Sequence, residues 1–341
     1  MGFMLTLQSL SYAQIPAERS YKQQQAWKDL QQYLPENYRL NGENEPQESL
    51  WSWKNNQVHI DAYPNPSAKA KVILLHGVGT NGRQMSLILG HPLANAGYET
   101  IALDLPGYGL TQYDKKKDIR YDQWVELVND FVNQEASKDD RPIFLYGLSA
   151  GGMLTLHVAM ENPHVKGIIG MTFLDQRIAQ VQKETMRFGD LKSILMPSMK
   201  LSAKTPVGSL ALPMSWVSKM NALTNNPHAL KIMLNDKTSA GNAMSLKFLN
   251  SYMHYQPKME ISDYRTAPVL LTQPAEDRWT PLELSQPVIL QLKVPYQVVM
   301  LPNGSHYPTE LDALTQLKLS SIEFIERNLN QFSLWNIYKS A

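Results

Sequence analysis

A serine between two glycines is the first feature of the chain that could do chemistry. Ser149 lies in the segment Gly147-Leu148-Ser149-Ala150-Gly151, after an apolar run at 142–146 and before a helical pattern over 150–160. A turn this tight leaves no room for bulky neighbours, and the following helix points its free N–H groups and its dipole at developing negative charge. The pattern predicts an exposed, activated Ser149 hydroxyl. A glycine-rich turn that serves only close packing is the alternative.

A second glycine-rich loop follows the apolar run at 71–75 and reads His76-Gly77-Val78-Gly79-Thr80. Such a loop can bring a backbone N–H close to a bound carbonyl, so the N–H groups of Val78 and Ala150 are candidates for an oxyanion hole. His76, Gly77, Gly79 and Leu148 are predicted to shape the same site. A phosphate-binding loop is the weaker interpretation, because the glycine spacings of nucleotide-binding motifs are missing.

A carboxylate and a histidine follow two late apolar runs. Asp277 comes after the run at 268–271, and His306 lies in a proline- and glycine-rich turn after the run at 296–301. An imidazole can act as a general base near neutral pH, and a carboxylate can hold its tautomer. Asp277 is the favoured carboxylate, with Asp175 and Glu276 as alternatives. The other seven histidines lack this context, so structural or solvated roles are predicted for them.

The elements that must position these residues are predicted from continuous apolar runs, which suit strands buried on both faces. Helical patterns separate the runs, for example over 121–133, where apolar residues share one face. This alternation predicts an α/β fold with a mostly parallel sheet flanked by helices. The runs lie at 71–75, 99–103, 142–146, 165–171, 268–271 and 296–301.

Four segments are predicted along the chain. Residues 1–65 form an extension packed on the core, with an amphipathic helix over 17–34 that ends at Pro35 and an edge hairpin over 50–53 and 57–62. Residues 66–176 and 261–341 form the two parts of the core. Residues 177–260 show no obvious buried strand and are predicted to be an inserted helical cap.

Composition excludes several classes of protein. Apolar residues make up 43% of the chain and charged residues 18%, which argues against disorder. The net charge is +1, and the basic run at 115–117 is predicted to be a solvated turn, so no nucleic-acid partner is expected. Cysteine is absent and no metal-ligand spacing occurs, so no metal is predicted.

The cellular location is less constrained by the sequence. No apolar run is long enough for a membrane-spanning helix, although peripheral membrane contact stays open. A cytoplasmic location is predicted. The segment MGFMLTLQSLSYAQ allows a secreted or periplasmic alternative, because it is apolar and offers a small-residue cleavage site at residues 11–13, but it lacks a basic start.

Taken together, these motifs resemble the α/β-hydrolase superfamily, in particular its capped serine esterases and lysophospholipase-like members. The resemblance rests on HGVGTNG, DLPGYG, GLSAG, PAEDRWTP and NGSHYP and spans residues 71–308 apart from the cap. It implies an eight-stranded sheet, no cofactor, and the chain order nucleophile, acid, histidine for Ser149, Asp277 and His306. The lead-in before residue 71 is longer than is usual in the family.

The expected function is therefore hydrolysis of a hydrophobic carboxylic ester through an acyl-enzyme. The predicted cap holds nine of the sixteen methionines, and such side chains can adapt to an acyl chain or merely fill gaps between short helices. Peptidase, thioesterase and carbon–carbon bond hydrolase activities are alternatives, as is a non-catalytic binding module on the same scaffold. The oligomeric state leaves no readable motif.

Overall fold

The computed structural model of the protein describes residues 15–114, 118–187, 189 and 205–339. Several features singled out in the sequence lie outside the described residues. These are the apolar N-terminal segment with its candidate cleavage site, the basic run at 115–117, and Met196 and Met199 of the predicted cap.

An eight-stranded sheet forms the centre of the molecule, as predicted. Its strand order is β1-β2-β4-β3-β5-β6-β9-β10; β2 runs antiparallel to both of its neighbours, β1 and β4, and all other neighbouring strands are parallel. The inner strands β3, β4, β5, β6 and β9 are mostly apolar and buried along almost their whole length, as expected of strands covered by helices on both faces. The strands are β1 Gln47–Trp53, β2 Asn56–Tyr63, β3 Lys71–Leu75, β4 Glu99–Leu103, β5 Ile143–Gly147, β6 Val165–Gly170, β9 Val269–Pro274 and β10 Tyr296–Leu301.

Eleven α-helical segments can be numbered among the described residues, and short 3₁₀ turns and a π turn at Ser86–Gly90 connect some of them. The predicted helix over 121–133 is present and runs three residues further. The helices are α1 Gln25–Leu30, α2 Gly82–Met85, α3 His91–Ala94, α4 Tyr121–Ala136, α5 Ala150–Ala159, α6 Ala179–Thr185, α7 Met214–Val217, α8 Pro227–Asn235, α9 Leu246–Met253, α10 Leu282–Ile289 and α11 Leu311–Lys339.

The predicted helix over 17–34 is wrong as a single element. Only α1 is α-helical, and the chain is extended at Ser20, between two 3₁₀ turns, and at Gln24, between a 3₁₀ turn and α1. Tertiary bonds cause the break at Ser20: its hydroxyl and the Tyr21 N–H both donate to the buried carboxylate of Glu48. The apolar residues that suggested the helix are nevertheless buried, among them Tyr21 and Trp27.

The segment between β6 and β9 is not wholly helical. It contains α6 to α9 together with an antiparallel ribbon of two short strands, β7 Ala211–Pro213 and β8 Ala243–Ser245. Three-residue strands with half-exposed side chains carry almost no apolar period, so the sequence does not reveal them. Among the described residues, no helix combines the length and apolarity needed to cross a bilayer.

Candidate active site

The tight turn at Ser149 joins β5 to α5. Ser149 has φ 56° and ψ −121°, a conformation that costs energy for a residue with a side chain and that marks functional turns. A Cβ on Gly147 would lie 2.1 Å from the Gly151 carbonyl oxygen, and one on Gly151 would lie 2.4 Å from that of Leu75. Glycine is therefore required at both positions, and the predicted turn is present.

The second glycine loop lies directly against this turn. A Cβ on Gly77 would meet the Leu148 carbonyl oxygen at 2.6 Å and the Ala150 nitrogen at 3.2 Å. Gly79 has a positive φ of 86°, which a residue with a side chain rarely adopts. The two loops are therefore in close contact, as an oxyanion hole made of the Val78 and Ala150 N–H groups would require.

His76 ties this loop to its neighbour on the sheet. Its Nδ1–H donates to the Gly77 carbonyl at 2.8 Å, and its Nε2 accepts from the Leu105 N–H at 2.9 Å. Burial lowers the pKa of His76, which keeps the ring neutral with one donor and one acceptor nitrogen. His76 therefore holds the loop in place and is not arranged as a base.

Asp277 and His306 meet at the carboxyl ends of β9 and β10. His306 Nδ1–H donates to Asp277 Oδ2 at 2.8 Å, and both side chains are buried. The other oxygen of Asp277 accepts the backbone N–H groups of Trp279 and Thr280, each at 2.8 Å. Burial alone would raise the pKa of Asp277, but the His306 charge and these hydrogen bonds outweigh it and lower the pKa.

The two rival carboxylates are placed elsewhere. Asp175 pairs with Arg177, with the closest contact at 2.8 Å, and Arg177 also reaches Glu260. The side chain of Glu276 is exposed, although it precedes Asp277 in the chain. Of the three carboxylates weighed from the sequence, the structure brings only Asp277 to the histidine.

Two residues that the sequence did not single out support the histidine. The Thr280 hydroxyl donates to Asp277 Oδ2 at 2.7 Å and lies 3.0 Å from His306 Nδ1. The Trp279 ring lies 4.7 Å from the imidazole, centroid to centroid. The spacing of Thr280 three residues after Asp277 is the one available signal, since a carboxylate often accepts from the backbone and hydroxyl of residues just beyond it.

An apolar cavity of about 40 Å³ lies over the serine. Ser149 is only 3% exposed and lies in the cavity wall with Val78, so the hydroxyl faces an enclosed site and not bulk solvent. Trp279, which also lines the cavity, packs against the His306 ring. Among the described residues, the lining carries no charged side chain: Val78, Ser149, Leu174, Gln176, Thr185, Met186, Met214, Val217, Ser218, Leu249, Tyr252, Met253 and Trp279.

The other nitrogen of the histidine is free to act. His306 Nε2 is buried and has no hydrogen-bond partner among the described residues, so it is not bonded to the Ser149 hydroxyl in this structure. A buried acceptor without a partner is costly, and catalytic hydrogen bonds often tighten only when substrate binds. His306 Nε2 is therefore available to a hydrogen-bond partner.

A group with metal-like spacing lies away from this cavity. Glu48, His59 and Asp61 offer ligand atoms within 4.8 Å of one another. Those atoms already have partners, because Asp61 accepts from Arg83 at 2.5 Å and Glu48 accepts from His59 at 2.8 Å. The Arg83 guanidinium supplies the positive charge there, so the donor set does not fit a metal ion.

Comparisons with known proteins agree with this fold. A protein-family model described as "Serine aminopeptidase, S33" (Hydrolase_4) matches residues 66–309. Among solved structures, a monoglyceride lipase of Saccharomyces cerevisiae superposes with a TM-score of 0.67 at 15% identity, covering 86% of this chain and 98% of that one. A monoacylglycerol lipase of Paleococcus ferrophilus gives a TM-score of 0.59 at 19% identity, over 80% and 99% of the two chains.

Relatives by sequence match more locally. A phospholipase of Bacillus subtilis, YtpA, is 26% identical over 161 residues, which is 45% of this chain and 56% of that protein. A thermostable monoacylglycerol lipase of a Bacillus species is 33% identical over 29% of this chain and 38% of its own length. The chain thus spans about half or less of these two relatives. Because the family model covers more than half of the chain, the protein belongs to the S33 serine aminopeptidase family of α/β-hydrolases.

Proposed function

We propose that the protein is a serine hydrolase that cleaves carboxylic esters with an apolar acyl group. One observation carries the proposal. The strained Ser149 turn lies in the wall of an uncharged cavity whose Trp279 also packs against His306, and His306 is paired with Asp277 and has a buried, unpartnered Nε2. The relatives named as a phospholipase and a monoacylglycerol lipase support ester chemistry, although each matches only part of the chain.

In this mechanism Ser149 Oγ attacks the acyl carbon while His306 Nε2 takes its proton. The carbonyl oxygen becomes an oxyanion that accepts from the N–H groups of Val78 and Ala150. The carbon–oxygen bond to the alcohol then breaks, and His306 returns the proton to the departing alcohol. Water adds to the acyl-enzyme by the same route, which releases the acid and restores Ser149.

The family description raises an aminopeptidase as a second candidate. Such an enzyme must hold the α-ammonium group of its substrate, which calls for a carboxylate or several oriented acceptors in the cavity. The described lining offers no carboxylate, and its polar groups are Gln176, Thr185, Ser218 and Tyr252 besides Ser149. An apolar acyl group fits this lining better than an ammonium does.

The decisive experiment compares p-nitrophenyl esters from acetate to palmitate with aminoacyl p-nitroanilides. The intact protein is measured beside Ser149→Ala, Asp277→Ala and His306→Ala, with Ser321→Ala as a matched control, since Ser321 is an equally buried serine on α11. We expect ester turnover that is lost in the three site variants and kept in the control. Turnover of the anilides alone would favour the aminopeptidase.

A fluorophosphonate probe separates the nucleophile from the choice of substrate. It should label the intact protein and Ser321→Ala but not Ser149→Ala. Labelling that persists in folded Ser149→Ala would contradict the assignment of the nucleophile, and a folded wild type that never labels would favour a non-catalytic module.

A further inference from the structure

Strand β10 lies at one edge of the sheet, and no strand among the described residues pairs with its outer side. Its alternate residues Tyr296, Val298 and Met300 are 47%, 39% and 43% exposed. At the opposite edge, the apolar residues of β1, Trp51 and Trp53 among them, are buried. Exposed apolar side chains in a row on an edge strand are unusual, because edges are normally protected by charge, proline or a covering element.

The same three residues also carry the free backbone groups of this edge. The carbonyls of Pro295 and Leu301 accept from the N–H groups of β9 and the residue that follows it. Backbone direction alternates along a strand, so the odd-numbered residues bond to β9 and the even-numbered ones point to the open edge. Within the strand there is no charged residue and no proline, since Pro295 and Pro302 lie just outside its ends.

We propose that β10 pairs antiparallel with β10 of a second copy of this chain, about a two-fold axis through Val298. In this register Val298 faces Val298, and Tyr296 of each copy faces Met300 of the other. All three outward-facing residues of each strand then find a partner, and the cross-strand aromatic–methionine contacts are favourable. An edge that is complementary to itself makes a closed dimer.

Charges on the neighbouring helix support the same axis. Arg327 of α11 donates to Gln297 at 3.2 Å and to Glu323 at 2.5 Å, and both charged side chains are about half exposed. The helix runs antiparallel to β10: it begins near the carboxyl end of β10 and, at Glu326, contacts Lys69 and Tyr98 at the starts of β3 and β4.

The position of the axis along the helix follows from these contacts. One strand residue advances about 3.3 Å, which equals roughly two helical residues at about 1.5 Å each. Gln297 lies beside Arg327, and the helix runs antiparallel to the strand. One step forward on the strand, to Val298, therefore lies level with a helix position two residues earlier, 325, which is midway between Glu323 and Arg327. A two-fold axis there directs each arginine toward the other copy's glutamate, so the charges are complementary.

Sedimentation velocity and light scattering test the dimer on the full chain. The wild type should have twice the 38.7 kDa chain mass, and Val298→Lys should have the mass of one chain, because like charges would then oppose each other on the axis. Val207→Lys, at another exposed apolar residue, is the matched control and should stay dimeric. A wild type that stays monomeric over a wide range of concentration would overturn the proposal, even if another segment or a ligand covers the edge.

A cysteine on the axis tests the register without a disruptive charge. The chain has no cysteine, so Val298→Cys introduces a single thiol. A hydrogen-bonded antiparallel pair holds its Cα atoms about 5.5 Å apart, within the roughly 4.4–6.8 Å that a disulfide spans. Mild oxidation should cross-link Val298→Cys and leave Val207→Cys uncross-linked. A dimeric Val298→Cys protein that does not cross-link would show that another surface forms the dimer.

Discussion

At the scale of single residues, Thr280 offers the sharpest test of how the proposed base is held. Its hydroxyl donates to the Asp277 oxygen that His306 also uses. Thr280→Val keeps the shape of the side chain and removes this donor. Hydrogen bonds to charged groups contribute about 1.5–3 kcal/mol, and about 1.4 kcal/mol changes a rate tenfold. We expect kcat on the best ester to fall about tenfold to a hundredfold, with KM little changed.

The pH profile shows whether Thr280 acts through Asp277. The bond from Thr280 helps to lower the pKa of Asp277, so its loss should raise that pKa and move the acid limb of activity to higher pH. Thr280→Ser keeps the hydroxyl and should recover most of the rate and the original limb. A serine variant as slow as the valine variant would mean that the methyl packing matters and the hydroxyl does not.

Only part of this site could be predicted from the sequence. Asp277 and His306 could be expected to meet because each follows a parallel strand, and the carboxyl ends of parallel strands share one edge of the sheet. Trp279 and the cavity lining could not be predicted, since they come together from segments far apart in the chain. The buried His306 Nε2 is likewise a property of the packed loops.

At the scale of secondary structure elements, the β5–α5 turn depends on having no side chain at Gly147. Any Cβ there would press on the backbone of Gly151 and Gly152, which cannot rotate away as a side chain can. Gly147→Ala should therefore cost more than the usual 1–3 kcal/mol, roughly, of an overpacked core. Gly42→Ala is the matched control, because a Cβ at Gly42 meets nothing within 4 Å.

Urea unfolding of both variants measures this difference. Gly42→Ala should unfold within about 1 kcal/mol of wild type, whereas Gly147→Ala should unfold much earlier or fail to accumulate. A Gly147→Ala protein as stable as wild type would mean that β5 and α5 can separate without loss, contrary to their close contact.

The elements also show where periodicity misleads. The helical spacing of Tyr21, Trp27 and Leu30 correctly indicates a buried face, yet the backbone between them is broken because Ser20 and Tyr21 bond to Glu48. The spacing of apolar residues predicts burial better than backbone conformation when a distant buried charge binds the backbone N–H groups that a helix would use. The core strands carry no such competitor, and their apolar runs are confirmed as strands.

At the scale of the whole molecule, a buried ionic cluster joins the N-terminal segment, here residues 15–65, to the core. Arg83 is fully buried, bonds Asp61 at 2.5 Å, and lies over the rings of Tyr21 and Trp27 at 4.8 and 4.5 Å. His59 bonds both Glu48 at 2.8 Å and Asp104 at 3.1 Å. No local motif predicts this cluster, because its members come from positions spread between 21 and 104.

Removing one charge should expose how much this cluster matters. Arg83→Met leaves Asp61 buried without its partner, which typically costs about 3–5 kcal/mol. Arg120→Met is the control, since Arg120 is more than half exposed and its pair with Asp122 should be worth about 0–1 kcal/mol. Urea unfolding of both variants measures the two costs. An Arg83→Met protein that loses no more than the control would mean that the N-terminal segment is held by its apolar contacts alone.

The titratable groups of this cluster also make the stability of the fold depend on pH. Burial alone would lower the pKa of His59, but bonds to Asp104 and Glu48 raise it from 6.5 to about 10. A base with a raised pKa stabilises the fold fully below about pH 6.5, and this contribution is lost as the pH rises through about 10. Burial alone would raise the pKa of Glu48, but bonds from His59, Ser20 and Tyr21 lower it from 4.5 to about 2. The stability that the ionised Glu48 contributes is therefore lost as the pH falls from 4.5 toward 2.

The free energy of unfolding should therefore decline from pH 6.5 toward pH 10, and His59→Gln should flatten that decline while lowering stability at pH 6.5. Urea unfolding at a series of pH values measures both. His254→Gln is the matched control, because His254 is only partly buried, on the turn after α9, and should keep the wild-type slope. If His59→Gln also kept the full slope of unfolding free energy against pH, another group would be titrating in this range. The protonated His59, paired with Glu48 and Asp104, would then not be the group that anchors the N-terminal segment.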